Sequence, residues 1–196
     1  VMFQQGSVVN RMLARLALLA ILGTAARNAE AYEADVVVYG DTSGGVTAAV
    51  QAARMGRSAI LVSPYGHLGG MSSSGLGWSD IGNDAILGGL AREFYHRIYQ
   101  HYQSPQAWTH ERREAFKNEG QGVPGLNEKT ELASVFEPKV AEAVFDAMIE
   151  EAGVKIVVGR LDLRDGVVVS DKRITAIRLE DGSKIKGTIF IDASYE

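Results

Sequence analysis

The sequence contains no cysteine and has no strong excess of charge of either sign. Without cysteine, disulfides, thiolate metal sites and cysteine nucleophiles are excluded. The balance of 24 acidic to 20 basic residues gives no electrostatic case for a nucleic-acid partner. The apolar run near the start, residues 16–22, is much shorter than the roughly 20 residues that a membrane-spanning helix needs.

Residues 1–31 have the pattern of a secretory signal peptide. Arg11 and Arg15 precede the apolar run, and Ala29-Glu30-Ala31 supplies an A-x-A cleavage pattern. The alternative is an amphipathic N-terminal helix. The signal peptide predicts an exported protein, periplasmic or extracellular, whose mature chain starts at Tyr32 and has no membrane span after the signal is removed.

Glycine is abundant, with 22 residues, many of them between Gly40 and Gly89. This clustering indicates binding loops that are built from backbone. Within it, residues 34–49 read as an apolar β-branched strand, a Gly-rich turn and a helix of small residues. In such a unit the N–H groups of the turn and of the helix N-terminus form a site for a pyrophosphate. The segment therefore predicts binding of FAD or of a nicotinamide dinucleotide, and the alternative is a plain turn in another α/β fold.

The order of apolar runs and turns predicts an α/β fold. We expect a Rossmann-like parallel sheet with a three-stranded antiparallel β-meander, truncated at the C-terminus, in one partial domain over residues 32–196 with an irregular excursion at 103–135. The predicted elements are buried strands at 34–39, 58–62, 154–158 and 188–193, helices at 45–55, 85–102 and from Glu137-Pro138 to Gly153, and meander strands at 167–169, 174–179 and 183–186.

The first Gly-rich turn departs from the G-x-G-x-x-G pattern at one position. Gly40 and Gly45 fit the pattern, but Thr42 stands where the second glycine normally lets the backbone approach the pyrophosphate. The Thr42 hydroxyl offers a donor to a phosphate oxygen, and the additional Gly44 offers the missing conformational freedom. We therefore predict that Gly40, Thr42, Ser43, Gly44 and Gly45 hold the pyrophosphate.

The end of the second strand is the expected place of a carboxylate that binds ribose. Ser63 stands there, followed by Pro64. A serine can hydrogen-bond a ribose hydroxyl, although less strongly than a carboxylate. We predict that Ser63 faces the adenosine ribose; the alternative is that it only opens the turn before Pro64.

A second Gly-rich loop, residues 67–78, distinguishes the two cofactor classes. A nicotinamide protein has no need of such a loop directly after the second strand, whereas in an FAD protein the ribityl chain runs on towards the flavin. Gly69, Gly70 and Met71 are predicted to lie along the flavin side. His67 in the same loop is a candidate for stacking near the cofactor, for donating to a phosphate or for a covalent flavin bond; the alternative is a surface histidine.

The segments at residues 40–45, 67–71 and 88–95, in this order, resemble the FAD-dependent oxidoreductase family often labelled xanthan-lyase-like. Residues 136–141 and 191–196 also resemble that family. The resemblance implies exported bacterial flavoproteins with a glutathione-reductase-type FAD-binding domain. It further implies a C-terminal part, beyond this sequence, that carries a substrate domain and the last helix that contacts the flavin.

Two further site residues are implied by the resemblance. Leu161 would contact the adenine through its backbone, and Ala193 would lie in a second turn that faces the pyrophosphate. The resulting hypothesis is the N-terminal, FAD-binding part of an FAD-dependent oxidoreductase, with a small-molecule substrate.

No catalytic residue is identified from spacing, and we expect no metal, because His96 and His101 are poorly spaced for ligation. We expect this part of the enzyme to be inactive alone. The alternatives are a nicotinamide-dinucleotide dehydrogenase and a truncated nucleotide-binding module without activity.

Overall fold

The computed structural model describes residues 30–117 and 122–195. The predicted signal peptide lies almost wholly outside these residues. Within them, three α-helices and eight strands are present. In chain order they are β1 (Ala31–Tyr39), α1 (Ser43–Arg54), β2 (Ala59–Ser63), α2 (Gly89–His101), β3 (Leu126–Asn127), β4 (Leu132–Ala133), α3 (Pro138–Ala152), β5 (Lys155–Val158), β6 (Val167–Ser170), β7 (Arg173–Arg178) and β8 (Lys184–Asp192).

Six strands form one sheet in the order β5-β2-β1-β8-β7-β6. The pairs β5–β2, β2–β1 and β1–β8 are parallel, and β8–β7 and β7–β6 are antiparallel. The predicted α/β fold with a mainly parallel sheet is therefore confirmed. After β1 the chain adds β2 and β5 beside one edge of β1, and β8 later pairs with the opposite edge of β1. The strand order thus reverses between β1 and β8, whose carboxyl ends form a topological switch point. Open α/β sheets bind ligands at such a point.

The central strands are apolar on both faces, as expected for strands covered on both sides. Successive side chains point to opposite faces: Val36 and Val38 pack with the helices in one core cluster, whereas Val37 packs in the cluster on the other face. In the first cluster, Phe145 of α3 stacks on Phe94 of α2, with ring centroids 4.3 Å apart. The helices therefore cover one face of the sheet and hold the switch point in place.

The helix predicted at 85–102 is shorter than expected. A separate 3-10 turn occupies Asp84–Ile86, and α2 begins only at Gly89. Gly89 has a φ of +53°, which allows the chain to turn between the two pieces. The predicted apolar face is present beyond this point, with Phe94 and Ile98 buried.

The meander also differs from the prediction. The third meander strand and the following buried strand form one continuous strand, β8, whose first residues pair with β7 while its whole length pairs with β1. Gly187 lies at the predicted break, and its lack of a side chain has a packing reason: a Cβ there would lie 2.7 Å from Val37 Cγ2. The glycine thus marks a close approach inside a strand rather than its end.

The segment after α2 has little regular structure. It contains short 3-10 turns at Pro105–Ala107 and Arg113–Ala115 and the two-stranded hairpin of β3 and β4. Leu132 and Ala133 of β4 are buried, so the hairpin is part of the packed domain.

Candidate functional site

The helix α1 begins directly after β1 and is capped by Thr42. The Thr42 hydroxyl accepts a hydrogen bond from the Gly45 N–H at 3.1 Å and donates one to the Ala193 carbonyl oxygen at 2.8 Å. Thr42 is therefore the N-cap of α1 and connects the helix to the end of β8. Its donation to a phosphate oxygen stays a prediction.

Gly40 and Gly45 allow three segments to meet. Gly40 has a φ of +117°, and a Cβ there would lie 2.5 Å from the Ala193 carbonyl carbon and 2.6 Å from the Ser194 nitrogen. A Cβ on Gly45 would overlap the Gly40 carbonyl oxygen. Both glycines are therefore required for α1 to approach β1 and for the chain after β8 to cross the turn.

Gly44 has a different environment. It is exposed in the first turn of α1, next to Ser43, and a Cβ there would meet only the Thr42 hydroxyl, at 3.6 Å. Its backbone does not use the extra freedom of glycine, because its φ is not positive. Among the described residues, no acceptor is recorded for the Gly44 N–H. An unpaired N–H at a helix N-terminus, with open space beside it, is suited to an anion.

The structure brings the second Gly-rich loop against the first turn. The Gly69 N–H donates to the Asp41 carbonyl oxygen at 2.7 Å. Gly69 has a φ of +104°, and a Cβ there would lie 2.5 Å from the Phe145 ring and 2.7 Å from Ser73 Oγ. Glycine at position 69 therefore lets the loop pack between α3 and the first turn.

Gly70 and Met71 lie beneath Tyr195. The Met71 N–H donates to the Tyr195 hydroxyl at 3.0 Å, and a Cβ on Gly70 would overlap the same hydroxyl. Met71 itself is exposed. Tyr195 was not predicted as a site residue, because 124 residues separate it from Met71.

His67 is engaged by the protein at both ring nitrogens. Nδ1 lies 2.6 Å from Glu142 Oε1 on α3, and Nε2 lies 3.2 Å from both the carbonyl oxygen and the hydroxyl of Ser73. In this structure His67 connects the loop to α3. Its predicted roles of stacking near the cofactor, donating to a phosphate or forming a covalent flavin bond stay predictions. The pKa of Asp146, one turn along α3, is raised by burial and by the neighbouring Glu142 carboxylate.

Ser63 does not present its hydroxyl to the surface. Its side chain is completely buried, and the hydroxyl donates to Asp41 Oδ2 at 2.7 Å and accepts from the Gly66 N–H at 2.8 Å. In this structure the Ser63 hydroxyl is directed at Asp41 and Gly66, and its contact with the adenosine ribose stays a prediction. Its hydroxyl shapes the turn after β2, close to the alternative considered for it.

The backbone N–H of Leu161 is also occupied. It donates to the Tyr39 hydroxyl at 3.1 Å, so this N–H is not available to an adenine. Ala193 lies beside the first turn, and its predicted position facing the pyrophosphate stays a prediction. Its N–H donates to the Tyr39 carbonyl oxygen at 2.8 Å, and its own carbonyl oxygen accepts from Thr42. After it, the Ser194 hydroxyl and N–H lower the pKa of Asp192.

Asp41 was missed as a site residue. It follows Gly40, is only 7% exposed, and its carboxylate accepts from both the Ser63 hydroxyl and the Tyr65 N–H. The sequence does contain a signal for Asp41. Asp41 is an acid inside a Gly-rich turn, and Ser63, 22 residues later, is a serine at the position where an acid is expected.

A separate cavity of about 340 Å³ lies between the irregular segment and the start of α3. Its lining is mainly apolar and includes Tyr102, Trp108 and Phe136, but none of the predicted cofactor-binding residues. The described residues contain no group of histidine, aspartate or glutamate side chains arranged to hold a metal ion. Among those same residues, no helix has the length and apolar character to cross a membrane.

Comparison with known families decides between the dinucleotide-binding classes. The family described as FAD dependent oxidoreductase matches residues 35–196. The chain belongs to this family. No curated protein matches it in sequence. Membership of the FAD-dependent oxidoreductase family supports FAD as the cofactor and confirms the resemblance of the loops.

Several solved structures are similar to this chain at low sequence identity. The myxobacterial chondrochloren halogenase CndH, an FAD-dependent halogenase, is 14% identical, with a TM-score of 0.52 over 83% of this chain and 37% of its own. A 3-ketosteroid dehydrogenase from Rhodococcus jostii RHA1 is 17% identical, with a TM-score of 0.47 over 84% of this chain and 46% of its own. THI4 from Thermovibrio ammonificans is 13% identical, with a TM-score of 0.48 over 97% of this chain and 66% of its own. This member of the family thus spans less than two thirds of each of these structures.

The first turn fits the pyrophosphate of FAD. The Gly44 N–H has no acceptor among residues 30–117 and 122–195, and Gly44 is exposed, with only the Thr42 hydroxyl near the place of a Cβ, at 3.6 Å. The loop at 69–71 lies next to this turn, through the hydrogen bond from Gly69 to Asp41. The two loops therefore form one continuous backbone surface at the switch point of the sheet.

Proposed function

We propose that this chain forms the FAD-binding part of an FAD-dependent oxidoreductase and that the cofactor pyrophosphate lies at the N-terminus of α1. The observation that carries the proposal is the Gly44 N–H, which has no acceptor among the described residues and belongs to an exposed residue of the first turn of α1. A helix N-terminus contributes a partial positive charge as well as N–H donors, so it favours a phosphate group.

Each glycine of the first turn has its own part in this arrangement. Gly40 and Gly45 bring β1, α1 and the chain after β8 close together, which fixes the position of the helix end. Gly44 leaves room for the phosphate oxygens. The loop at Gly69, Gly70 and Met71 then continues the surface towards the flavin side, with Tyr195 above it.

When bound, the flavin would supply the redox chemistry by accepting a hydride or electrons from a substrate. The protein residues would bind and orient it: α1 holds the pyrophosphate, and His67 fastens the second loop to α3 through Glu142. Family membership supports a small-molecule substrate.

The visible absorption spectrum of the purified protein tests the proposal. The spectrum is recorded on the protein as purified, and again after the protein has been incubated with FAD and freed of unbound ligand. A second sample is incubated with NAD⁺ and treated in the same way. The expected result is a retained flavin spectrum and no retained NAD⁺. Retention of NAD⁺ without FAD would indicate the nicotinamide dehydrogenase instead, and retention of neither would indicate a module without cofactor binding.

We propose further that residues 1–31 are a signal peptide and that the protein is exported. Arg11 and Arg15, the apolar run at 16–22 and the A-x-A pattern at 29–31 support this. Expression in a bacterial host followed by N-terminal sequencing of the periplasmic fraction tests it. The expected N-terminus is Tyr32. An uncleaved cytoplasmic protein would contradict the proposal.

A further inference from the structure

Asp41 places a carboxylate at the end of β2, where this sequence lacks one of its own. Dinucleotide-binding folds use an acid at this strand end to accept a hydrogen bond from a ribose hydroxyl. Here the strand ends in Ser63, whose hydroxyl is buried and donates to Asp41 Oδ2 at 2.7 Å. The Asp41 carboxylate therefore reaches the end of β2 from the turn that follows β1.

Asp41 is held through both its side chain and its backbone. Oδ2 also accepts the Tyr65 N–H at 3.2 Å, and the Asp41 carbonyl oxygen accepts the Gly69 N–H at 2.7 Å. These bonds connect the first turn, the turn after β2 and the second Gly-rich loop. A carboxylate held in this way presents its second oxygen in one orientation.

That second oxygen, Oδ1, has no recorded protein donor among residues 30–117 and 122–195. No buried side-chain oxygen of these residues lacks a partner, so Oδ1 reaches the surface. None of the ion pairs in the same residues includes Asp41. An almost buried carboxylate with one open oxygen and no cation is suited to a neutral hydroxyl donor.

We propose that Asp41 Oδ1 accepts a hydrogen bond from a hydroxyl of the adenosine ribose and that Asp41 takes the role usually held by the acid at the end of β2. This inference rests on the proposed FAD site at the first turn. Ser63 and Tyr65 position the carboxylate but do not contact the ribose. The negative charge also disfavours a phosphate on that ribose.

Competition between FAD and adenine nucleotides tests the ribose contact in the unaltered protein. ADP, 2′-deoxy-ADP and 3′-deoxy-ADP are each titrated against bound FAD. We expect one of the deoxy compounds to bind about tenfold more weakly than ADP, because a hydrogen bond to a charged group is lost. If FAD binds but all three nucleotides bind equally, the role of Asp41 is overturned while the FAD site stands; absence of FAD binding overturns both.

Variants then assign the contact to Asp41. In Asp41→Ala the difference between ADP and the deoxy compound is expected to disappear, whereas Asp165→Ala, which removes an exposed carboxylate far along the chain, is expected to keep it. The double variant Asp41→Ala/Ser63→Glu moves the acid back to the end of β2 and is expected to restore the difference. Circular dichroism verifies that each variant is folded. An Asp41→Ala protein that still distinguishes the nucleotides overturns the proposal.

Discussion

Adjacent residues of the first turn have different structural roles, and the residue types alone do not show which role each one has. Thr42 caps the helix, Gly44 leaves room and an N–H donor at the surface, and Gly45 permits the helix to approach β1. Only the environment of each residue separates a glycine required by the fold from one that leaves room for a ligand. This separation can be tested by substituting the glycines one at a time.

Gly44→Ala is expected to weaken FAD binding without loss of stability. The new methyl group meets no protein atom closer than 3.6 Å, but it occupies the space assigned to the phosphate oxygens. Alanine also favours a helix over glycine by roughly 1 kcal/mol. Calorimetric titration with FAD, together with thermal unfolding, measures both effects. Gly82→Ala, where a Cβ meets nothing within 4 Å, is the control; unchanged FAD affinity in Gly44→Ala would contradict the assignment.

Gly45→Val is expected to abolish FAD binding and to lower stability as well. Its Cβ would overlap the Gly40 carbonyl oxygen, so α1 has to move away from β1. Overpacking of this kind destabilises proteins by about 1–3 kcal/mol. Circular dichroism is expected to show that the strands remain. A stable Gly45→Val protein that binds FAD normally would show that the close approach is not needed.

The three helices are joined to one another by ion pairs on their exposed edges. Glu93 of α2 accepts hydrogen bonds from both terminal nitrogens of Arg54 on α1, at 2.6 and 2.8 Å, and Arg97 pairs with Glu151 of α3 at 2.6 Å. Hydrogen bonds from the Arg54 guanidinium, and then from Arg97, lower the pKa of Glu93 to about 2, although its partial burial opposes this.

This network predicts a loss of stability in acid. The ordinary pKa of glutamate is 4.5, so the contribution of Glu93 is fully present above pH 4.5 and is lost as the pH falls towards about 2. Glu93→Gln is expected to lower the free energy of unfolding at pH 7 by about 1 kcal/mol, since the pair is partly exposed and screened.

Urea denaturation between pH 2 and pH 7 measures this effect. The difference between Glu93→Gln and the unaltered protein should shrink as the pH falls through that window. Glu150→Gln, at an exposed position of α3, is the control. A difference that stays constant with pH would exclude the ion pair as its source.

At the scale of elements, the sequence predicts most of the strands and helices, but not where they join. The strand at 188–193 was recognised by its apolar run, yet its continuation back to Lys184 depends on pairing with β1, which is distant in sequence. Likewise, the sequence predicts that the hydroxyls of Thr42 and Ser63 contact a ligand. It does not show that these hydroxyls donate hydrogen bonds to Ala193 and Asp41, which are brought close only by the fold.

For the whole molecule, the site is a consequence of the sheet order. β1 lies between β2 and β8, so the first turn, the turn after β2 and the turn after β8 meet at one edge of the sheet. The pattern of apolar runs in the sequence predicts parallel strands, and a site at the carboxyl ends of those strands can therefore be predicted as well. The fastening of the second loop by His67, and its cover by Tyr195, depend on side-chain contacts with α3 and with the end of β8.

Because FAD would connect several of these segments, it is expected to stabilise the whole fold. At a free FAD concentration a hundredfold above its dissociation constant, the gain in the free energy of unfolding is about 2.7 kcal/mol. Thermal unfolding at several FAD concentrations measures this gain, with NAD⁺ at the same concentrations as the control. An equal shift with NAD⁺ would show that the site does not select FAD.

The position of the pyrophosphate can be observed in a crystal structure with FAD bound. We expect a phosphate oxygen within about 3 Å of the Gly44 nitrogen. The flavin side of the cofactor should lie along Gly69, Gly70 and Met71. A pyrophosphate bound elsewhere, with the N-terminus of α1 left to solvent, would show that the first turn is not the FAD site.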